Sequence, residues 1–150
     1  MKYTNGNDIV VGEPVWLNDG VNIGRVSVVL EIQGLWEKWG LDEPGVFVCF
    51  DFSGKTATED AFTPKKDIER EGLERMTLTE ELEIKDIYTR FCSIKPEAVG
   101  LSYTVLLHKA YRGMKWILVL FRGTSGNKQF YVSREDSTEF MEISEKEVFD

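Results

Sequence analysis

Apolar residues in the first half of this chain recur at every second position, in short runs cut by turn-forming clusters. Asn5-Gly6-Asn7-Asp8, Asn18-Asp19-Gly20 and Ser53-Gly54-Lys55 supply the breaks, and clusters of this kind bound strands. Between them Val26, Val28, Leu30 and Ile32 alternate with Ser27, Val29 and Glu31, the pattern of a strand with one buried face. From Gly45 to Phe52, Val46, Val48, Phe50 and Phe52 share one face while Phe47 and Cys49 share the other. Two largely apolar faces predict a central strand. Short strands, tight turns and one long curved strand together predict a small closed barrel.

Three stretches of this half depart from alternation. Gln33 to Pro44 carries Leu35, Trp36 and Trp39 at the spacing of a helical turn or compact loop. Each tryptophan can bury about 200 Å², so this insertion is expected to fold over one open end of the barrel. Lys55 to Thr63 is small, polar and acidic and reads as a loop. Pro64 to Arg70 reads as extended chain anchored by Ile68.

Near residue 77 the period changes. Thr77 and Glu80 have capping-box spacing, and Ile84, Ile87, Tyr88 and Phe91 follow at helical intervals. They predict a helix over about 79–92, with Glu80, Glu81, Glu83 and Asp86 near its positive end. Leu78, Leu82 and Ile84 also alternate, which leaves a strand ending near residue 84 open as an alternative. After Pro96 the pattern becomes a meander: Tyr103 to Ala110, Lys115 to Arg122, Lys128 to Ser133 and Glu139 to Ile143 read as strands. They are separated by Tyr111-Arg112-Gly113-Met114, Gly123-Thr124-Ser125-Gly126-Asn127 and Asp136-Ser137, and Ser144 with Glu147 caps a last helical turn. The predicted class is α+β, mostly β: a small barrel over 1–75, then a helix and a three- or four-stranded antiparallel meander over 76–150. The 150 residues make two halves of about 70 each, marginal alone, so the meander is expected to pack on the barrel.

Chemistry-bearing patterns are sparse. His108 is the single histidine, and no nucleophile elbow or comparable signature accompanies it, so a structural or surface role is the simpler reading. A small enzyme using His108 stands as a third, weaker reading. Zinc needs about four ligands, and His108, Cys49 and Cys92 do not supply them. Glu80-Glu81-Leu82-Glu83 lacks the glycine turn of a calcium loop and reads as a solvated helix face. Gly123-Thr124-Ser125-Gly126-Asn127 leads into a strand rather than a helix, unlike a phosphate loop. No cofactor and no metal are expected. Cys49 and Cys92 form no CxxC pair and sit among apolar neighbours, as in a reducing compartment. Neither a leader nor a membrane-length apolar run is evident, so the expected location is cytoplasmic.

Charge says more. The net charge is −8, which disfavours a phosphate-backbone binder as the default. Residues 95–134 hold seven Lys/Arg and one acid, whereas 135–150 hold one base and seven acids; the two blocks are expected to neutralise one another. Residues 1–94 hold ten bases and eighteen acids, so the surplus negative charge belongs to the barrel, its loops and the helix. An acidic surface beside aromatic side chains steers a basic protein partner.

Asn7-Asp8-Ile9-Val10-Val11-Gly12-Glu13-Pro14-Val15-Trp16-Leu17, followed by Asp19-Gly20 and Gly24-Arg25-Val26, resembles the first hairpin of an SH3-like or KOW-like barrel. With the tryptophan-bearing insertion, the strand Gly45-Val46-Phe47-Val48 and the closing Thr63-Pro64-Lys65-Lys66-Asp67-Ile68, residues 1–75 resemble the barrel of immunity proteins from bacterial polymorphic-toxin and contact-dependent inhibition systems. Glu13-Pro14 departs from the pattern, which usually has an aspartate before the strand, and residues 76–150 carry no such likeness. The resemblance implies a protein without catalytic groups that binds a cognate toxin domain, often a basic nuclease, and occludes its active site or substrate path. Trp36 and Trp39 would be the aromatic anchors, and Asp42, Glu43, Glu59 and Asp60 a charge-pairing rim. The plainer alternative is that the tryptophans plug the barrel and the acids only solubilise it. A rival reading is a nucleic-acid-binding module. Its site would be the basic meander 95–134, with Arg112, Lys115, Arg122 and Lys128 reaching phosphates and Tyr103, Tyr111, Trp116, Phe121, Phe130 and Tyr131 available for stacking.

Overall fold

The computed structural model describes residues 1–17, 22–54, 60–111, 114–122, 127–134 and 139–149; the side chains of 107–111, 114–116, 121–122, 134 and 148–149 are outside that description. The chain divides into two compact units, Met1–Met76 and Thr77–Asp150. Two antiparallel sheets, with 40% of the chain in strands and 27% in helices, make the class α+β and mostly β.

The first unit contains β1 (Pro14–Leu17), β2 (Asn22–Leu30), the short helix α1 (Gln33–Lys38), β3 (Gly45–Cys49), β4 (Asp60–Pro64), a 3-10 turn (Lys65–Asp67) and β5 (Glu74–Arg75). The sheet order is β4-β3-β2-β1-β5, so β5 pairs back with β1. β2 is long enough to serve both halves of the sheet. Its first residues, Asn22 to Arg25, pair with β1, and Arg25 to Leu30 pair with β3. The core contains Tyr3, Ile9, Val15, Leu17, Val26, Val46, Val48, Ile68 and Leu73. Burying each aliphatic side chain contributes about 1.5–3 kcal/mol, which is why the valines of β2 and β3 fix which face of the sheet turns inward. The seam next to β5 is held by Met76 N–H donating to the Pro14 carbonyl at 2.9 Å and by Arg75 Nε 2.5 Å from a Glu13 carboxylate oxygen.

Three expectations for this unit are corrected. The alternation in β2 is broken by a bulge between Val26 and Val28. Val26 is therefore buried in the core and half-buried Val29 packs against it, while Val28 pairs with outward-facing Phe47. Ile32 lies beyond the strand, at the start of α1, and is 67% exposed. Residues 60–63, expected as loop, form most of β4. Its one fully buried side chain is Thr63, so no apolar alternation marks the strand. Residues 64–70 contain a 3-10 turn rather than extended chain, although Ile68 is the buried anchor that the spacing suggested.

The second unit opens with α2 (Leu78–Ile94), and the alternative of a strand to residue 84 is overturned. Both halves of the capping box form: Glu80 N–H donates to Thr77 Oγ1 at 3.2 Å, and Thr77 N–H donates to Glu80 Oε1 at 3.0 Å. Ile84, Ile87 and Phe91 are its buried residues. A 3-10 turn at Pro96–Ala98 leads to β6 (Ser102–Tyr111), β7 (Met114–Arg122), β8 (Asn127–Arg134) and β9 (Phe140–Ile143), paired in that order, and the short helix α3 (Glu145–Phe149) follows. The strand alternation sorts the sheet's side chains. One face holds Tyr103, Val105, Leu118, Leu120, Tyr131 and Phe140; the other holds Ile117, Val119, Phe130, Val132 and Ile143. α2 packs on the first face, where Phe91 meets Tyr131 and Phe140 at centroid distances of 4.6 and 5.1 Å and Tyr88 stacks on Tyr103 at 3.9 Å. The Tyr88 hydroxyl donates to the Ala98 carbonyl at 2.7 Å and accepts the Gly100 N–H at 3.1 Å, tying the helix to the turn before β6.

Candidate functional site

In β3, Val46 and Val48 point into the core, so Gly45, Phe47 and Cys49 must face the other way. β4 sets Phe62 directly opposite Phe47, and the two rings lie 5.1 Å apart. A Cβ on Gly45 would collide with the Phe62 ring and with the Thr63 carbonyl oxygen. The missing side chain is what lets that ring approach the β3 backbone.

Trp39 joins this pair from outside the sheet. α1 ends in a Schellman turn: Gly40 N–H donates to the Glu37 carbonyl at 2.9 Å and Leu41 N–H to the Trp36 carbonyl at 3.0 Å, with Gly40 at φ +75°. Glycine takes that left-handed conformation without the Cβ penalty. The turn brings the Trp39 ring to 5.3 Å from Phe47. Trp39, Phe47 and Phe62 thus form a continuous aromatic strip on the outer face of the first unit. No residue of α1 is buried, and Ile32, Leu35 and Trp39 are exposed by 67, 45 and 54%. Trp36 is half-buried. Neither tryptophan is in the core cluster, and Trp39 stacks on the outside of β3, so for Trp39 the barrel-plug alternative is set aside.

The acidic residues expected as a rim are placed differently from one another. Asp42 is exposed, three residues beyond Trp39. Glu43 is half-buried, with a carboxylate oxygen 3.4 Å from Lys66 Nζ; the lysine is exposed, so water screens this pair and it is worth little. Asp60 is exposed at the start of β4 and accepts a hydrogen bond from Ser27 Oγ at 3.3 Å. Ser27 is the bulge residue, and its single hydroxyl proton is shared with the Phe47 carbonyl at 3.0 Å, so the bulge itself links the strip to this carboxylate. Glu59 is outside the described residues. Residues 1–76 hold eight Lys/Arg against fourteen Asp/Glu, which gives the strip a negative surrounding field.

Rings and carboxylates in this arrangement can bind cationic groups. Ring faces attract cations, and Asp42 and Asp60 can pair with them. Cys49 is the one thiol on the same sheet face; burial pushes it up to about 11, with the Asp60 charge adding to the rise, so it stays protonated and is a poor nucleophile. Among the described residues no group of three or more His, Cys, Asp or Glu could hold a metal ion. Among the described residues no helix is long and apolar enough to cross a membrane.

The residues expected for nucleic-acid binding are described only in part. Lys115 and Arg122 lie near opposite ends of β7, about 23 Å apart at the rise of a strand. Lys128 is half-buried near the start of β8. Tyr103, Phe130 and Tyr131, expected as stacking platforms, are 7, 5 and 3% exposed, and Tyr131 is already covered by Phe91 and Lys95. Arg112 is outside the described residues; His108 lies on β6, and its side chain, like those of Lys115, Arg122, Tyr111, Trp116 and Phe121, is outside them too.

Phe47 and Phe62 were not singled out from sequence. The sequence pattern sets Phe47 only on the face opposite Val46 and Val48, with both faces apolar, and Phe62 falls in a stretch without alternation. Compared with family models, curated proteins and solved structures, the chain shows no match.

Proposed function

We propose that this protein acts by binding another polypeptide, as an immunity protein that neutralises a basic toxin domain by covering its active site or substrate path. The observation that carries the reading is the outward strip Trp39–Phe47–Phe62, bordered by Asp42 and Asp60, in a unit with a surplus of acids. Half-exposed aromatic rings are poorly used as packing and well used as anchors for a partner, and the field around them speeds encounter with a cationic surface. An interface of about 1,600 Å² in total would hold a toxin domain without any bond-making step.

Co-expression provides the test. The domain to test is the C-terminal domain of any large secreted protein encoded next to this chain: expressed alone it should be toxic, cells should survive when this chain is present, and the two should purify as a 1:1 complex. Survival should be lost with Trp39→Ala although the variant remains folded. A chain that leaves the adjacent domain toxic and does not bind it would overturn the reading.

A further inference from the structure

The phase of the hydrogen bonds between β3 and β4 follows from contacts at both borders of β3. Lys65 N–H donates to the Pro44 carbonyl at 2.9 Å, one step beyond Gly45↔Pro64 in the same register. Antiparallel pairs alternate between bonded and non-bonded, so Thr63↔Val46 and Ala61↔Val48 are the bonded pairs. The Ser27 hydroxyl reaches the Phe47 carbonyl from the β2 side, which independently places the Phe47 backbone groups toward β2, away from β4. The N–H and C=O groups of Asp60 and Phe62, and the Pro64 carbonyl, therefore point away from β3. β4 ends the sheet order, and no described strand pairs with its other side.

We infer that this edge of β4 accepts an extended basic segment of the partner as a sixth strand, the inference resting on the polypeptide-binding reading above. The edge supplies two donors and three acceptors at alternate positions, the pattern that strand addition uses for affinity. Side chains supply the selectivity. A partner residue opposite Phe62 lies on the outer face against the Phe62 ring, in line with Phe47 and Trp39. The residue opposite Asp60 meets a carboxylate and is Lys or Arg. The two are separated by one residue, because successive side chains alternate faces. A second copy of this chain is a poor occupant: it would bring fourteen acids against fourteen across its two first units, and Pro64 shortens the ladder that β4 could offer itself.

The probe is a capped octapeptide of alternating Arg and Val, added to the full chain labelled with 15N, with amide exchange and chemical shifts read residue by residue. Exchange of the Asp60 and Phe62 amides should slow at least tenfold. A peptide N-methylated at alternate residues should retain binding in one phase and lose it in the other, and a Glu/Val counterpart should not bind. Binding that shifts the Trp39 indole but leaves the Asp60 and Phe62 amides exchanging as before, in either N-methyl phase, would overturn edge pairing while leaving the aromatic strip as a binding surface. No binding of the Arg/Val peptide, or equal binding of the Glu/Val peptide, would overturn the inference, and toxin rescue would still report on the wider reading. Protection that grows with protein concentration without peptide would assign the edge to a second copy instead.

Discussion

In the second unit, β6 to β9 pair in the order in which they occur and α2 lays Phe91 on Tyr131 and Phe140. In the first unit, β5 crosses to pair with β1, β2 carries a bulge at Ser27, and the two-residue β5 is held by the Glu13–Arg75 pair. Neighbours in the second unit are neighbours in sequence, and its rings are spent on packing, with Phe91 on Tyr131 and Phe140 and Tyr88 on Tyr103. The first unit relies on long-range closures and spends part of its aromatic surface outside the core, on Trp39, Phe47 and Phe62. A sheet face that keeps three rings half-covered gives up packing that the other unit uses. That difference is why the first unit is the one to which binding is assigned.

The contrast can be broken most sharply at Phe91. Its replacement in Phe91→Ala empties a site that is 0% exposed and should cost about 3–5 kcal/mol, read as a lower urea midpoint by circular dichroism. A loss below about 1 kcal/mol would mean that α2 is not the main support of the second sheet. Gly45→Ala should cost about 1–3 kcal/mol, because the Phe62 ring and the β4 backbone must shift to admit one methyl group. The same variant should weaken the Phe47–Phe62 ring contact, seen as lost cross-strand nuclear Overhauser effects. Thr77→Ala removes one half of the α2 capping box and should cost about 1 kcal/mol, a shift of several degrees in the melting temperature of a unit this size.

The smallest effect is alkaline. Cys49 is held up to about 11 and Tyr88 up to about 12, burial being the largest cause for both. Each is neutral when protonated and titrates at lower pH once unfolded, so its contribution is fully present below about pH 9 and fades as pH rises toward 11–12. Stability measured from pH 8 to 11 should fall more steeply for the wild type than for Cys49→Ala. Equal slopes would mean that the thiol is not buried as described.

How legible each unit was from sequence follows the same division. The capping box and the alternation within β6 to β9 are local, and the helix and four strands are legible to within a few residues of their observed ends, while the turns expected at 111–114 and 123–127 lie largely outside the described residues. β4 was missed because its single fully buried side chain is the hydroxyl-bearing Thr63, which is held by Glu71 at 3.1 Å. The Ser27 bulge was missed because the partner strand sets register, and no residue near Ser27 announces it. Trp36, Trp39, Asp42 and Asp60 could be chosen by residue type alone. Joining Trp39 to Phe47 and Phe62 required the Gly40 turn and the β3–β4 register, both of which are three-dimensional facts.

The central claim is that the outer strip of the first unit is where a basic protein binds. Calorimetric titration of the basic toxin domain into wild type and Trp39→Ala tests it directly. At 54% exposure the indole contributes little to folding, so the melting temperatures should agree within a few degrees. The Kd should rise about 30-fold or more, the equivalent of about 2 kcal/mol for a central aromatic anchor. Unchanged affinity in a folded Trp39→Ala protein would contradict the account.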